Sequence, residues 1–349
     1  MTLISAMSYI EIAGRKIGID FPPIVIAEIG INHEGSFAKA MRMVDDASAA
    51  GCECVKFQSH VIEDEMIPND VVPGNATESI WQIMNRCALS EEEEIKLKRY
   101  VESKGLLYLC TPFSRAAAMR LEHMGVSAYK IGSGECNNYP LIAHIASYKK
   151  PVILSTGMND LASVGPAVEI FRRAGVPFAL LHCTSMYPTP YGKVRLGAIK
   201  ALASRFPDAV VGLSDHSAGS YTCLAAVALG ARILEKHFTS DKTWPGPDVP
   251  ISIDPYELNE LVQGSRAVFE ALGGTKEILA EEKPTIDFAY ACVVSIRDIP
   301  AGENLSLENV WVKRPGTGEI KAVHLDSLLG RRVKRAIAIN SQLRWADLE

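Results

Sequence analysis

The sequence lacks any run of 18 apolar residues, so it offers no segment that could span a membrane as a helix. It also begins without a basic stretch followed by an unbroken apolar one, and we expect no signal peptide. Basic residues are in deficit: 36 Lys and Arg against 41 Asp and Glu give a formal net charge of −5. Because proteins that bind nucleic acid or anionic membranes broadly carry a basic excess, we expect neither partner. A local basic pocket for one small anion is compatible with this charge.

The C-x-x-C spacing that is typical of redox and metal motifs is missing as well. The eight cysteines lie mostly in apolar runs such as LYLCTPF and ALLHCTS. This pattern is typical of reduced thiols in a protein core, and it predicts a cytoplasmic protein. It argues against a catalytic cysteine.

What the chain does contain is a regular alternation of short apolar runs and helical stretches. Nearly continuous apolar strands are typical of a parallel sheet that is buried on both faces. Eight such units over about 250 residues predict a (β/α)₈ TIM barrel, and an open doubly wound sheet is the alternative. The predicted strands are residues 24–29, 52–58, 106–113, 128–135, 151–157, 178–187, 210–216 and 231–238.

Two stretches depart from this alternation. Residues 60–90 form a long insertion between the second and third strands, and we expect it to cover a substrate site. Near residue 274 the alternation gives way to short β-rich pieces with Gly and Pro turns. A domain of about 60 residues buries only a modest core, so we expect this one to lean on another surface. The predicted parts are an amino-terminal arm (1–20), the barrel (21–280), a linker (281–290) and a small, mainly β domain (291–349).

Nearly every predicted strand ends in polar side chains. Because the active sites of (β/α)₈ barrels lie at the carboxyl ends of their strands, we expect these side chains to face one mouth. They are Glu28, Asn32, His33, Lys56, Gln58, Thr111, Lys130, Ser133, Glu135, Ser155, Ser185, Tyr187, Ser214, Asp215, His216, Glu235, Lys236 and His237.

Two pairs in this set indicate binding chemistry. Lys56 and Lys130, together with the hydroxyl side chains, suit a phosphate or a carboxylate, although a lysine after a strand is often only a snorkelling side chain. His216 and His237 end adjacent strands and suit a divalent metal ion with open positions. For either histidine alone, a hydrogen-bonded core residue is the alternative.

The carboxylates of Glu28 and Glu135 would help to hold such a metal or act as a general acid and base. The residues alone leave two reaction types open, carbon–carbon bond formation at a carbonyl and phosphate-ester chemistry. Five other histidines are interpreted as structural: His60, His123, His144, His182 and His324.

A series of motifs in the chain resembles the sialic acid synthase family. In order they are AEIGINHEGS, VKFQ, CTPF, KIGSGE, ILSTGM, LLHCTSMYPTP, GLSDHS, EKHFT, GPD and VKRPGTG, from about residue 24 to 318. Cys110 stands where the family has a serine. ECNNYPLI and FSRAAAMRL look closest to bacterial N-acetylneuraminate synthases. The resemblance implies a TIM barrel followed by an antifreeze-like (SAF) domain.

The resemblance also implies a reaction, the condensation of phosphoenolpyruvate with N-acetylmannosamine to give N-acetylneuraminate and phosphate. Carbon 3 of phosphoenolpyruvate attacks the open-chain sugar aldehyde, water attacks carbon 2, and a C–O bond breaks. His216 and His237 would hold Mn²⁺ or Mg²⁺. Sister enzymes that use a 2,4-diacetamido trideoxy sugar and make legionaminic or pseudaminic acid are an alternative. A non-catalytic carbohydrate-binding protein is a remote one.

The resemblance also implies a role for each residue of this sequence that matches a functional position of the family. Glu135 would be the acid/base or water-orienting carboxylate, with Glu28 beside it. Sugar contacts would come from Gln58, Tyr187 and Asp248. Phosphoenolpyruvate would be bound by Lys56, Thr111, Lys130, Ser133, Ser155, Ser185 and Ser214, and Ser185 replaces a frequent Asn or Thr.

Arg314, in the KRPGTG loop, matches an arginine that reaches the sugar N-acetyl group from the partner subunit, and Phe288 would line the same pocket. The resemblance therefore implies a domain-swapped homodimer. Thr317 replaces a common Asn of that loop. The stretch WPGPDVP lacks the family's frequent MSGPDH, so the residues after Asp248 are expected to shape a different sugar pocket.

Overall fold

The computed structural model describes residues 9–349, so residues 1–8 of the predicted arm lie outside the described residues. Contacts divide the chain into two units, Met1–Gly273 and Gly274–Glu349, and each is described by itself. None of the helices in residues 9–349 combines the length and the apolar character that crossing a membrane requires.

The first unit alternates strands with helices, as predicted. Its strands are β1 (Tyr9–Ile12), β2 (Arg15–Gly18), β3 (Ile24–Gly30), β4 (Cys54–Ser59), β5 (Leu107–Pro112), β6 (Tyr129–Ile131), β7 (Val152–Ser155), β8 (Phe178–Cys183), β9 (Val210–Asp215) and β10 (Ile233–His237). Its helices are α1 (Phe37–Ala49), α2 (Ile62–Glu65), α3 (Ile80–Cys87), α4 (Glu91–Ser103), α5 (Arg115–His123), α6 (Tyr139–Ala146), α7 (Leu161–Ala174), α8 (Tyr191–Val194), α9 (Gly197–Arg205), α10 (Tyr221–Ala228) and α11 (Pro255–Ala271).

Strands β3 to β10 form one parallel eight-stranded sheet in the order β5-β4-β3-β10-β9-β8-β7-β6. The first strand of this series, β3, pairs with the last, β10, and the two ends of the order, β5 and β6, contact each other. The sheet is thus a nearly closed barrel with helices around it, and the predicted TIM barrel is confirmed.

Alternate residues of each strand point into the barrel, and their character changes along its axis. At the amino-terminal end the inward side chains are apolar, for example Ile24 and Ile26, and they pack with Ile10 and Ile17 of the β1–β2 hairpin. Described residues of the predicted arm thus form a hairpin beside this core. At the carboxyl-terminal end the inward residues are polar, beginning with Glu28, and this end holds the candidate site.

The insertion of residues 60–90 folds into α2, an irregular stretch with turns, and α3. Ser79 caps α3 in a capping box with Gln82. Ile83 and Cys87 of α3 pack on Ile31, which follows β3. The insertion is therefore fixed by an apolar contact beside the barrel mouth.

The second unit has its own small core. It contains α12 (Lys283–Ala289), β11 (Cys292–Ser295), β12 (Val310–Lys313) and α13 (Leu325–Leu328), and β11 pairs with β12 in antiparallel fashion. Val293, Val310 and Leu343 are among its fully buried residues. Helix α12 occupies most of the stretch that the sequence predicts as a linker. The eight cysteines, all within the described part of the chain, are buried and free.

Candidate active site

The polar side chains at the carboxyl ends of the strands surround one cavity of about 350 Å³. This cavity brings together most of the residues that the sequence proposes for the site. Those that line it are Glu28, Lys56, Gln58, Thr111, Lys130, Ser133, Ser155, Ser185, Tyr187, Ser214, His216, His237 and Asp248.

Lys56 on β4 is buried between two carboxylates. Its Nζ lies 2.8 Å from Oε2 of Glu28 on β3 and 3.7 Å from Oε2 of Glu235 on β10. It also donates to Oγ1 of Thr111 at 3.2 Å. Parallel pairing of β3 with β4 places Glu28 and Lys56 side by side, so the ion pair follows from the strand register.

Lys130 on β6 reaches the same carboxylate from the other side. Its Nζ lies 3.4 Å from Oε1 of Glu235 and donates to Oγ of Ser155 at 2.8 Å. Ser214 donates to Glu235 at 2.8 Å. Glu235 thus bridges the two lysines, and the formal charges of Glu28, Lys56, Lys130 and Glu235 cancel.

The two carboxylates of this cluster have opposite pKa shifts. Burial, reinforced by the negative charge of Glu235, raises the pKa of Glu28 even though Lys56 is close. Burial also works against a charged Glu235, but the positive charges of Lys130 and Lys56 outweigh it and hold the pKa of Glu235 at about 2. Neighbouring acids with separated pKa values are typical of an acid/base residue beside a permanently charged one.

Hydroxyl groups crowd around Gly157, which follows β7. Its backbone N–H donates to Oγ of Ser133 at 3.0 Å. A Cβ at this position would collide with Oγ of Ser185 and would lie 2.8 Å from Oγ of Ser133 and 3.0 Å from Sγ of Cys183. The absence of a side chain at Gly157 therefore leaves room for hydroxyl donors on one wall of the cavity.

The two strand-end histidines line the cavity together, with ring centroids 5.3 Å apart. Tyr187 lies against both rings, 4.3 Å from His216 and 6.1 Å from His237. Nδ1 of His237 is buried without a hydrogen-bond partner among the described residues, and it lies 3.7 Å from Oδ2 of Asp248. Burial lowers the pKa of His237 well below its ordinary value and raises the pKa of Asp248 to about 6.

A neutral, buried imidazole with a nitrogen that has no hydrogen-bond partner is suited to bind a divalent metal ion. His216 lies beside it, and its Nδ1 is 3.2 Å from the carbonyl oxygen of Thr184. Within residues 9–349, three or more His, Cys, Asp or Glu side chains do not converge on one point as a metal cage. An ion held here by two histidines would keep positions open for other ligands.

Glu135 is placed differently from the other predicted carboxylate. It ends a short 3₁₀ turn after β6, and its carboxylate accepts a hydrogen bond from Nδ2 of Asn138 at 2.6 Å. It lines a second cavity of about 270 Å³ with Glu65 and His144. Burial raises the pKa of Glu135. Of the two predicted acid/base carboxylates, Glu28 is therefore the one that contacts a lysine of the cluster.

Other strand-end residues have structural positions. Asn32 donates to the carbonyl oxygen of Phe238 at 2.9 Å, and Nδ1 of His33 accepts from the backbone of Gly35 at 3.1 Å. Asp215 and Lys236 pair with each other outside the cavity. Arg314 and Phe288 belong to the second unit, where Arg314 lines a cavity of its own, and their roles stay predictions.

Two parts of the cavity consist of residues to which the sequence gives no individual role. One is Glu235, whose strand-end position is its only signal. The other is the inner side of the insertion, where Pro73, Asn75, Ile80, Ile83 and Met84 line the cavity. The position of these residues beside the cavity agrees with the expectation that the insertion covers a site.

Comparison with known proteins identifies the family of the chain. The NeuB family model matches residues 43–277, and the SAF domain model matches residues 290–349. N,N'-diacetyllegionaminic acid synthase of Legionella pneumophila is 35% identical over 93% of this chain and 94% of its own length. Human N-acetylneuraminate-9-phosphate synthase is 33% identical over 92% of this chain and 91% of its own.

A solved structure is similar in fold as well. The crystal structure of N-acetylneuraminic acid (sialic acid) synthetase from Leptospira borgpetersenii, in complex with citrate, has a TM-score of 0.74 at 35% identity. The match covers 80% of this chain and 95% of that one. The chain thus belongs to the NeuB family, whose synthases are enzymes of sugar-acid biosynthesis, and carries an SAF domain.

Proposed function

We propose that this protein condenses phosphoenolpyruvate with N-acetylmannosamine, giving N-acetylneuraminate and inorganic phosphate. The observation that carries the proposal is the pair of buried lysines, Lys56 and Lys130, which face one cavity together with several hydroxyl groups. Phosphoenolpyruvate carries a phosphate and a carboxylate close together. Two fixed cations with hydroxyl donors between them suit both anionic groups.

In the proposed reaction, carbon 3 of phosphoenolpyruvate attacks the aldehyde carbon, which forms the new carbon–carbon bond. Water then adds to carbon 2, and the bond from carbon 2 to the phosphate oxygen breaks, leaving a keto group. The water loses both of its protons on the way to the keto group: one goes to the aldehyde oxygen, and the other leaves with the phosphate. Glu28 is the first candidate for handling these protons, because a raised pKa suits a group that both accepts and donates. Glu135 is the second, and it would have to turn away from Asn138.

His216 and His237 would hold a divalent metal ion, Mn²⁺ or Mg²⁺. When bound, such an ion polarises a carbonyl oxygen and orients water. Nδ1 of His237 has no hydrogen-bond partner among the described residues, and the Asp248 carboxylate lies nearby. Both features support the proposal that a cation binds at this wall of the cavity. Gln58, Tyr187 and Asp248, which line the same cavity, would contact the sugar.

A diacetamido trideoxy sugar is the second candidate substrate. Ile31, Ile80, Ile83 and Met84 form an apolar wall of the cavity, and such a wall favours a methyl group over a hydroxymethyl group. The similarity to the Legionella N,N'-diacetyllegionaminic acid synthase points in the same direction.

The test of the proposed function is phosphate release from phosphoenolpyruvate in the presence of each sugar. We expect release with N-acetylmannosamine, with a higher kcat/KM than with either diacetamido trideoxy sugar. If phosphate is released only with a diacetamido sugar and not with N-acetylmannosamine, the second candidate substrate is the correct one. Absence of release with all of them would reject the proposed function.

The same assay includes a metal arm. We expect a chelator to abolish turnover and Mn²⁺ or Mg²⁺ to restore it, and we expect His216→Ala and His237→Ala to remove the response to metal. His123→Ala, on the exposed side of α5, is the matched control and should behave like the unchanged protein. Unaltered metal-dependent turnover in both cavity variants would show that these histidines are not the ligands.

We also propose a homodimer in which Arg314 and Phe288 complete the site of the neighbouring copy. Exposed apolar side chains beside the mouth, such as Met158 and Tyr187, support a covering partner. Sedimentation should give a mass near twice 38.0 kDa, and Arg314→Ala should reduce sugar use more than dimerisation. A monomer with full activity would contradict the proposal.

A further inference from the structure

A hydrogen-bonded chain of side chains runs from α2 to the buried charge cluster through His60, a residue that the sequence gives no role. Nδ1 of His60 lies 2.7 Å from Oε2 of Glu65, and Nε2 lies 3.0 Å from Oε1 of Gln58. Nε2 of Gln58 in turn donates to Oε1 of Glu28 at 3.2 Å. Glu28 is ion-paired with Lys56.

The His60 ring is held from its face as well as from its edges. It stacks on Phe113 with ring centroids 4.8 Å apart and an interplanar angle of 12°. The side chains of His60 and Glu65 are only 2% and 9% exposed. Because burial and stacking fix the plane of the ring, its two nitrogens point at fixed neighbours.

These neighbours determine which way the Gln58 amide faces. The Glu65 carboxylate, an acceptor, faces Nδ1 of the ring, and the Gln58 carbonyl oxygen, also an acceptor, faces Nε2. The Gln58 NH₂ group then faces Glu28. In the flipped amide, the Gln58 carbonyl oxygen would face a buried carboxylate, which is unfavourable.

We propose that His60, held by Glu65, is a positioning residue that fixes the Gln58 amide and through it the Glu28 carboxylate in the working geometry. The inference rests on the proposed function, in which Gln58 contacts the sugar and Glu28 handles protons. Removing a group that orients a metal ligand typically lowers activity by about 10–100-fold, and we expect a loss of similar size here.

The test begins with His60→Phe, which keeps an aromatic ring for stacking on Phe113 and removes both nitrogens. We expect kcat/KM for the sugar to fall roughly 10–100-fold, with KM for phosphoenolpyruvate much less affected. His123→Phe, on the exposed side of α5, is the matched control. Melting curves establish that each variant is folded.

A double-mutant cycle separates positioning from bulk structure. If His60 acts through Gln58, His60→Phe should have no further effect in a Gln58→Ala background. Effects that multiply independently would overturn the proposal, and so would wild-type sugar kinetics in a folded His60→Phe variant. Glu65→Gln should lower kcat/KM for the sugar in the same direction.

A spectroscopic readout is independent of turnover. With ¹⁵N-labelled histidine, the His60 signals, assigned by their loss in His60→Phe, should show both ring nitrogens in hydrogen bonds, and the Nε2 signal should shift in Gln58→Ala. An Nε2 signal that is unchanged in Gln58→Ala would overturn the proposal. If the unchanged enzyme releases no phosphate with any sugar, the proposed function fails, while this measurement still tests the chain from Glu65 to Glu28.

Discussion

Lys130→Met is expected to lower kcat/KM for phosphoenolpyruvate by about 10²–10³-fold, the usual loss when one buried donor to a developing or bound anion is removed. Lys130 is 1% exposed, so solvent does not supply a replacement charge. Methionine has a similar length and no charge, and it preserves much of the packing. The expected loss in kcat/KM therefore measures the contribution of the Lys130 ammonium group to binding the anion.

The charge balance of the cluster explains why the loss should be large. In the protein without ligand, Lys56 and Lys130 are balanced by Glu28 and Glu235. A bound phosphate and carboxylate add negative charge, and both lysines are then needed to offset it. With Lys130 removed, Glu235 keeps only Lys56 and the hydroxyl of Ser214, and the cavity becomes net negative.

Initial rates of phosphate release at varied phosphoenolpyruvate would measure this effect. Lys200→Met, an exposed lysine on α9, is the control and should leave the rates unchanged. A melting curve shows whether the Lys130 variant is folded. A folded Lys130→Met protein with nearly full kcat/KM would mean that this lysine does not bind the substrate anion.

The barrel and its polar mouth could be predicted from sequence, because strand runs and strand-end side chains follow from local pattern. Whether a given strand residue points into the barrel or toward the helices could not be predicted in the same way. Strands buried on both faces are apolar throughout, so the alternation that distinguishes inside from outside is hidden. The neighbours Glu235 and Lys236 both come after the apolar run Ile233–Leu234, yet one faces the cavity and the other lies outside it.

The direction in which loop side chains point could not be predicted from the sequence either. Glu135 follows a Gly-Ser-Gly stretch and turns toward Asn138. The turn is held by hydrogen bonds that Gly157 and Asn159, which follow β7, donate to Ser133. The insertion has no periodic pattern, and the docking of α3 on Ile31 is a tertiary contact. His60 gave no signal, because its partners Gln58 and Glu65 are common polar residues whose importance lies in their geometry.

Lys236 illustrates the second large effect, which concerns stability. Its side chain is fully buried, and its Nζ lies 2.7 Å from Oδ2 of Asp215 and also donates to the carbonyl oxygen of Ser217. Asp215 further accepts hydrogen bonds from the hydroxyls of Ser217 and Thr222, both at 2.9 Å. Burial works against a charged Asp215, but Lys236 outweighs it and the pKa of Asp215 is lowered.

Lys236→Met is expected to destabilise the protein by about 3–5 kcal/mol, because it leaves a buried carboxylate without its counter-charge. For a unit of this size, that loss corresponds to a fall in Tm of roughly 6–20 °C. Thermal unfolding followed by circular dichroism would measure it. Lys200→Met, which changes an exposed lysine on α9, should leave Tm nearly unchanged.

The double variant Asp215→Asn with Lys236→Met distinguishes the lost ion pair from lost packing. An asparagine keeps an acceptor for the hydroxyls of Ser217 and Thr222 and carries no charge, so the double variant should be more stable than Lys236→Met alone. Equal melting temperatures for the two would mean that packing around the lysine stem dominates. A single variant that melts like the unchanged protein would show that the ion pair contributes little to the barrel.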